Sequence, residues 1–300
     1  MNMIVSLNDL YDAVKEKAIK KIAIATPEDE GIIKLVKNSL EIGIAEFILV
    51  GDAEKISALL RTEGLDDTAF EIHHADSHKD AAEKAVSLVV EGKASVVMKG
   101  ELHTAVFLKA VLDKERGLRT GNLISQITVT EKVEGVGLLM FTDCAMNIAP
   151  TLEEKKQIIE NAVGLAIKLG YDKPKVAVLS AVELVNPVMP DTLDAAILSK
   201  MADRGQIEHA VVDGPFALDN AISIVAAKQK KIGGDVAGRA DIVLVPNLQV
   251  GNVIHKGLTY LAGKKIAAAV MGAKVPIVMT SRADTTETKL LSIAIATYIS

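Results

Sequence analysis

The hydrophobic pattern of this chain changes its period many times between the two ends. Short runs rich in β-branched residues alternate with longer segments whose apolar residues recur at helical spacing. The short runs predict strands at residues 22–25, 47–50, 70–73, 95–98, 176–179, 210–212, 242–245, 266–270 and 276–279. The longer segments predict helices, among them residues 28–40, 80–91, 152–169 and 192–204. Strands separated by helix-length segments are typical of βαβ units, so we expect an α/β fold with mostly parallel sheets.

One part of the chain departs from this alternation. The apolar runs at residues 123–129 and 136–141 stand close together with no helix between them, which predicts a hairpin. The turn-rich segment 143–151 follows, and we expect it to be a hinge between domains. No repeat, low-complexity tract or long flexible linker interrupts the chain, so any domain boundary must be a crossover within a continuous fold.

Composition and charge exclude several classes of function. The 300 residues are 49% hydrophobic and only 3% aromatic, which predicts a core of aliphatic residues. A net charge of −5, with no basic run interleaved with aromatic residues, argues against a nucleic-acid partner. No apolar stretch is long enough to cross a membrane, and the start has no basic segment typical of a signal peptide. A single cysteine, Cys144, excludes an internal disulfide and a cysteine-based zinc site, so we expect a cytoplasmic protein.

Small and polar residues follow four of the predicted strands. Ligands of open α/β sheets bind beyond the carboxyl ends of strands, so these residues are candidates for a binding site. They are Lys99, Gly100, Glu101, His103 and Thr104; Asp213, Gly214 and Pro215 with Asp219 and Asn220; Pro246, Asn247, Gly251, Asn252 and Lys256; and Thr280, Ser281, Arg282 and Asp284. Turns and helix caps explain any one group, but four groups in register favour a site.

Two glycine patterns and one serine–arginine pair are the candidate phosphate sites in this sequence. Residues 233–240 have the glycine spacing of a P-loop but lack its Lys and Ser/Thr, and they follow a lysine-rich helix end rather than a strand. Gly135 and Gly137 lack the third glycine of a dinucleotide fingerprint. Ser281 and Arg282 offer a neutral donor and a planar charged fork at a strand end, and they are the better anion site.

Histidine and cysteine clusters add little to this prediction. His73, His74 and His78 stand around an Asp-rich turn, where a solvent-exposed loop is favoured over a metal site. Cys144 has no neighbouring base in the sequence, and lone cysteines are usually buried small hydrophobic residues. We therefore expect no metal site, and a cysteine that is not a nucleophile.

At these residues the sequence resembles the phosphate acetyl/butyryltransferase family, most closely its butyryl branch. The resemblance runs nearly end to end. Its motifs are residues 97–100 with Thr104, residues 117–121, Thr142-Asp143 with Asn147, Val182-Glu183 with Asn186-Pro187, residues 199–201 with 204–207, residues 212–215 with Leu218-Asp219, residues 236–238, Gly251-Asn252, and residues 280–284. The Asp-Gly-Pro, Gly-Asn and Ser-Arg elements in this order are hard to obtain by chance.

The resemblance implies a two-domain, three-layer α/β fold similar to that of isocitrate and isopropylmalate dehydrogenases. We place the first domain at residues 1–130 plus 275–300 and the second at 131–274, with the active-site cleft between them. The resemblance also implies a homodimer or larger homo-oligomer. The substrates it implies are acyl-CoA and phosphate, with no cofactor.

Site residues follow from matching positions. Ser281 and Arg282 are expected to contact the reacting centre and the phosphate. Acetyl-specific members place an acidic residue seven positions after that serine, where this chain has Thr288. Glu287 stands beside it and Asp284 lies nearer the strand end, so both are candidates for the base, and Glu287 is placed in the catalytic set. The expected substrate-binding residues are Gly100, His103, Thr104, Arg119, Asn147, Asp213, Gly214, Pro215, Asn252, Lys256 and Asp284.

The predicted reaction is direct transfer of a short, four-carbon acyl group between coenzyme A and phosphate in a ternary complex. Acetyl transfer and transfer from acyl carrier protein are the nearest alternatives. A metal- and NAD-dependent dehydrogenase shares the implied fold, but its cluster of Asp ligands is not evident in this sequence. A non-catalytic small-molecule binding protein is the alternative from a different class.

Overall fold

Strands and helices alternate along the computed structural model, which describes residues 3–300. Every strand predicted from the sequence is present, and no strand end differs from its predicted position by more than four residues. Within the described range the strands are β1 (Lys21–Ala25), β2 (Glu46–Gly51), β3 (Glu71–His74), β4 (Val96–Lys99), β5 (Ser125–Glu131), β6 (Leu138–Thr142), β7 (Lys175–Leu179), β8 (Val211–Phe216), β9 (Ile242–Leu244), β10 (Ala267–Met271) and β11 (Ile277–Val278).

The helices lie in the longer segments between these strands. They are α1 (Asp9–Lys15), α2 (Glu30–Ile42), α3 (Ala53–Thr62), α4 (His78–Val90), α5 (Thr104–Val111), α6 (Leu152–Lys168), α7 (Pro190–Asp203), α8 (Leu218–Ile222), α9 (Ile224–Gln229), α10 (Leu248–Lys256) and α11 (Thr286–Ile299). No helix in residues 3–300 combines the length and the apolar character needed to cross a membrane.

The chain divides into two compact units. The first unit consists of Asn8–Asn122 and Ala267–Ser300, and the second consists of Leu123–Ile266 with the residues up to Leu7. The units change over after residues 122 and 266, whereas the domain bounds predicted from the sequence lie after residues 130 and 274.

The first unit contains a sheet in the order β3-β2-β1-β4-β11-β10. β1 pairs in parallel with β2 and β4, and β4 pairs in parallel with β11. β10 and β11 are antiparallel. α11 packs against β10, α1 and α2, and its residues Leu291 and Ile295 are fully buried. Helix α11 therefore holds the segment that follows β11 against the body of the unit.

The second unit contains a sheet in the order β5-β6-β9-β7-β8. β5 and β6 form the predicted antiparallel hairpin, and the remaining pairs are parallel. Phe141, Phe216 and Val243 belong to one buried cluster of this unit. The predicted α/β class with mostly parallel strands is therefore confirmed.

The predicted hinge at residues 143–151 was wrong, because this segment lies inside the second unit. Its first residue, Asp143, is 2% exposed, and its carboxylate accepts hydrogen bonds from the main-chain N–H groups of Ala145, Met146 and Asn147. We call residues 143–147, which this buried carboxylate holds in place, the anchored turn. The sequence pattern shows its turn-forming residues but not the buried partner that holds them.

Candidate active site

The order of strands reverses between β1 and β4 of the first unit. The chain passes from β1 through β2 to β3 and then returns to the other side of β1 as β4. Ligands of open α/β sheets bind at such a reversal, beyond the carboxyl ends of the strands. A cavity of about 180 Å³ lies at this place, and its lining includes Lys99, Glu101, Ser281, Arg282 and Lys289. The structure thus brings the residues after β4 together with those after β11.

Gly100 lets the segment after β4 lie directly against the end of β1. Its N–H donates to the carbonyl oxygen of Ala25 at 2.9 Å, and the N–H of Glu101 donates to that of Thr26 at 2.7 Å. A Cβ atom at position 100 would lie 2.0 Å from the Thr26 oxygen, which no side chain tolerates. This backbone packing fixes Lys99 and Glu101 beside the cavity. The predicted role of Gly100 in substrate binding stays a prediction.

Ser281 lies in a turn that Asp284 braces. The Asp284 carboxylate accepts from the Ser281 N–H at 2.7 Å, and the Asp284 N–H donates to the Ser281 carbonyl oxygen at 3.1 Å. The Ser281 hydroxyl oxygen accepts from the N–H of Ala283 at 3.3 Å. Because the hydroxyl is the acceptor in that bond, its own hydrogen is available to a ligand.

The Ser281 side chain does not serve as a helix cap. Helix α11 begins at Thr286, and its N-cap is Thr285, whose hydroxyl accepts from the N–H of Thr288 at 3.1 Å. Capping and turn chemistry were the alternative explanation for a serine at this strand end. Thr285 performs the capping, so the structural role of the Ser281 hydroxyl is confined to the hydrogen bond it accepts from Ala283 within its turn.

Arg282 reaches back to the segment after β4. Its Nη2 lies 2.8 Å from Oε2 of Glu101, and the Arg282 side chain is 71% exposed. An ion pair this exposed adds little to stability, so its main consequence is the orientation of the guanidinium. The guanidinium carries five N–H donors and meets Glu101 through one nitrogen, which leaves a planar edge for an oxyanion.

Four other predicted residues of the first unit lie outside this cavity. His103 and Thr104 are exposed at the start of α5, and Arg119 is exposed in the loop that follows that helix. Glu287 is exposed on the first turn of α11. Burial raises the pKa of the Tyr11 phenol to about 12, and the charge of Glu287 contributes to a lesser extent. The Glu287 carboxylate is therefore close enough to Tyr11 to interact with its phenol electrostatically. Their roles in binding and catalysis stay predictions.

Asn147 of the second unit is held by its own turn. Its side-chain N–H₂ donates to the Ile124 carbonyl oxygen at 3.0 Å and to the Asp143 carboxylate. Burial raises the pKa of Asp143, although the hydrogen bonds from this turn act in the opposite direction. The amide hydrogens of Asn147 are therefore committed to the protein in this structure.

The sequence predicted that the segment Asp213-Gly214-Pro215 follows its strand. In the structure the segment lies within β8. The strand continues to Phe216 because its pairing with β7 shifts register after Asp213, and proline is tolerated at such an irregularity and at a sheet edge. A Cβ atom on Gly214 would lie 2.8 Å from the Val178 carbonyl oxygen. Burial raises the pKa of Asp213, whose carboxylate accepts from the Gly214 N–H at 2.8 Å.

Asn252 and Lys256 lie four residues apart on α10, on one face of that helix. Asn252 is half-buried and Lys256 is exposed. Gly251 packs against the anchored turn, since a Cβ atom there would lie 2.3 Å from the Asp143 carbonyl oxygen. The helix is thereby held close to the carboxyl end of β6, and the roles of both side chains stay predictions.

Cys144 is buried, with 1% of its surface exposed. Its thiol donates to the Phe141 carbonyl oxygen at 3.5 Å, and burial raises the thiol pKa to about 12. A nucleophilic cysteine needs an accessible thiolate near neutral pH. The structure agrees with the interpretation of Cys144 as an inert core residue.

The cavity also contains four charged residues to which the sequence assigned no catalytic or substrate-binding role. They are Asp29, Lys99, Glu101 and Lys289. Lys99 and Glu101 flank Gly100 in the sequence, so they belong to a segment already recognised as a strand end. Asp29 and Lys289 carried no such signal, because only the fold brings the N-termini of α2 and α11 to the same cavity.

Comparison with known proteins identifies the relatives of this chain. A profile of the family described as "Phosphate acetyl/butaryl transferase" matches residues 71–297, well over half of the chain. The chain belongs to this family. Phosphate butyryltransferase of Clostridium acetobutylicum is 49% identical over 297 residues, which cover 99% of each chain. The resemblance inferred from the sequence motifs is therefore confirmed.

Solved structures extend this result to the fold of the family. A branched-chain phosphotransacylase from Enterococcus faecalis superposes with a TM-score of 0.82 and 35% identity, over 94% of this chain and 99% of that one. A 4-hydroxythreonine-4-phosphate dehydrogenase from Burkholderia phymatum gives a TM-score of 0.58 at 12% identity, over 94% and 99% of the two chains. The second likeness concerns the fold alone, and it agrees with the predicted dehydrogenase-like architecture.

Proposed function

We propose that this chain is a phosphotransacylase, an enzyme that transfers a short acyl group between coenzyme A and inorganic phosphate. One observation carries the proposal: the free hydroxyl hydrogen of Ser281 and the open edge of the Arg282 guanidinium stand side by side at the cavity after β4 and β11. Family membership and 49% identity to a phosphate butyryltransferase support the same chemistry.

The reaction requires an anion to attack a thioester. A phosphate oxygen adds to the carbonyl carbon, the carbon–sulfur bond of the tetrahedral intermediate breaks, and coenzyme A leaves as a thiolate that takes up a proton. Arg282 binds the phosphate dianion, and Ser281 donates to the oxyanion that develops on the carbonyl oxygen. Asn252 is the alternative donor to this oxyanion. Holding two substrates in register contributes up to roughly 7–11 kcal/mol.

In the direction that makes acyl-CoA, the thiol of coenzyme A must lose its proton. With a reference thiol pKa near 8.5, this deprotonation costs roughly 2 kcal/mol at pH 7, which a local base and cation can supply. Asp284 is occupied by the Ser281 N–H, so Glu287 remains the proposed base. Cys144 is buried and protonated, which favours direct transfer over an acyl-cysteine intermediate.

A four-carbon acyl group is the proposed substrate. The identity to a phosphate butyryltransferase supports this choice, as does the likeness to a branched-chain phosphotransacylase. Each buried methylene contributes roughly 0.8 kcal/mol, so two additional carbons favour a C4 substrate over acetyl by about ten- to twentyfold in kcat/KM.

Three further expectations accompany the proposal and stay predictions. The enzyme needs no metal or organic cofactor besides its substrates, it forms a homodimer or larger homo-oligomer, and it works in the cytoplasm.

The test is the release of free thiol from acetyl-, butyryl- and isobutyryl-CoA by the purified chain, with and without inorganic phosphate. We expect release that requires phosphate, together with acyl phosphate captured as its hydroxamate. Butyryl- or isobutyryl-CoA should exceed acetyl-CoA at least several-fold in kcat/KM. An absence of phosphate-dependent release would overturn the function, whereas equal or better kcat/KM for acetyl-CoA would overturn only the acyl preference.

A further inference from the structure

Lys99 is the last residue of β4, and its side chain lines the cavity that contains Ser281 and Arg282. It is half-buried, unlike the exposed Arg282. Its Nζ donates to the carbonyl oxygens of Gly100 at 3.0 Å and Leu102 at 3.2 Å. The ammonium is therefore fixed by the main chain of the loop that follows its own strand.

These two bonds leave one N–H of the ammonium for another partner. A lysine ammonium has three donors, and the carbonyl oxygens of Gly100 and Leu102 take two of them. A free lysine side chain loses considerable rotamer entropy when it is immobilised on a ligand. At Lys99 most of that entropy is already lost, so the remaining donor is preorganised beside the cavity.

The charges around Lys99 favour an anion. Lys99, Arg282 and Lys289 line the cavity together with the two carboxylates Asp29 and Glu101, which gives three positive charges against two negative ones. One Asp29 oxygen accepts from the N–H of Ile32 at 3.0 Å as the cap of α2. Burial lowers the pKa of Lys99, the charge of Glu101 raises it, and the charges of Arg282 and Lys289 lower it further. A bound dianion would relieve this repulsion among the cations.

We propose that Lys99 is a second phosphate ligand, which donates its third N–H to one phosphate oxygen while the Arg282 guanidinium binds two others. The inference rests on the proposed function, since it assigns the phosphate of that reaction to a subsite. Phosphate is then held between a rigid ammonium on β4 and an exposed guanidinium after β11. Glu101 lies 2.8 Å from Arg282 and pairs with the same guanidinium.

A purely structural role for Lys99 makes different predictions. If its ammonium only closes the loop at Gly100 and Leu102, its removal lowers the melting temperature and leaves phosphate binding unchanged. The test therefore needs a measurement of phosphate binding as well as one of stability.

Lys99→Met keeps the apolar length of the side chain and removes its charge and donors. We expect the KM for phosphate to rise roughly tenfold or more, as for the loss of a charged hydrogen bond, with the KM for butyryl-CoA within about twofold of the parent. We also expect the rise in melting temperature caused by inorganic phosphate alone to disappear. Lys109→Met, at an exposed lysine of α5 outside this cavity, is the matched control and should change neither quantity.

Lys99→Gln serves as the second variant if Lys99→Met does not fold, because its amide still donates to a carbonyl oxygen. An unchanged phosphate KM and an unchanged phosphate-induced melting shift in either folded variant would overturn the proposal. So would a parent protein that phosphate does not stabilise. Thermal stabilisation of the parent by phosphate, lost in the variant, supports the subsite even if no thioester is turned over. The two proposals therefore fail separately.

Discussion

Replacement of Arg282 by lysine separates the charge of this side chain from its shape. Lysine keeps the positive charge but replaces a planar, five-donor fork with a single ammonium. The guanidinium is 71% exposed and has one ion pair among residues 3–300, to Glu101 at 2.8 Å. An exposed pair contributes about 0–1 kcal/mol, so we expect the folded structure to persist with almost unchanged stability.

The expected loss of activity comes from the bidentate contact with phosphate. A hydrogen bond between charged partners contributes about 1.5–3 kcal/mol, and lysine can make one such bond where arginine makes two. The loss of one bond converts to a decrease of roughly 10- to 150-fold in kcat/KM for phosphate. The kcat/KM for acyl-CoA at saturating phosphate should change less, because the fork does not contact the thioester in the proposed complex.

The assay is initial-rate thiol release over a range of phosphate concentrations at saturating butyryl-CoA, together with urea unfolding of parent and variant. Arg61→Lys is the matched control, since Arg61 is an exposed arginine of the same unit in a 3.7 Å pair with Asp67. A phosphate KM equal to that of the parent, with near-normal turnover, would refute the assignment of Arg282 to phosphate. An equal loss in the control would point to a general effect of the substitution.

Three further substitutions test other parts of the site. Ser281→Ala should lower kcat about 10²–10³-fold with an unchanged melting temperature, since Thr285 caps α11; a change confined to stability would contradict the oxyanion role. Cys144→Ala should keep kcat within a few-fold of the parent value. Iodoacetamide at pH 8 should label Cys144 only after unfolding, since its pKa of about 12 keeps the native thiol protonated. An acyl group trapped on Cys144 would contradict direct transfer. Gly100→Ala should lower the free energy of unfolding in urea by about 1–3 kcal/mol, because its Cβ atom would clash with the Thr26 oxygen. Gly164→Ala, in open space on α6, is the control and should be neutral or stabilising by up to about 1 kcal/mol. Equal effects of the two would contradict the close packing at Gly100.

The local pattern of the sequence determined most of the elements. Runs such as residues 176–179 and 242–245 became β7 and β9 because β-branched residues fit a buried parallel strand. The antiparallel β5–β6 pair followed from two apolar runs with no helix between them. β8 was predicted too short because its bulge and its proline interrupt the apolar pattern, while its pairing with β7 carries the strand on to Phe216.

The candidate site was determined by the sequence only in part. Gly100, Ser281 and Arg282 could be found because strand ends carry function in α/β folds, and their motif matched a family. The tertiary structure decided that Glu101 contacts Arg282, since residues so distant along the chain meet only when β4 and β11 pair. It also showed that Asp284 braces the Ser281 turn and that main-chain carbonyl groups hold the Lys99 ammonium. Local patterns record how each residue suits its own strand or helix, whereas hydrogen-bond partners depend on where the whole chain places the other side chains and carbonyl groups.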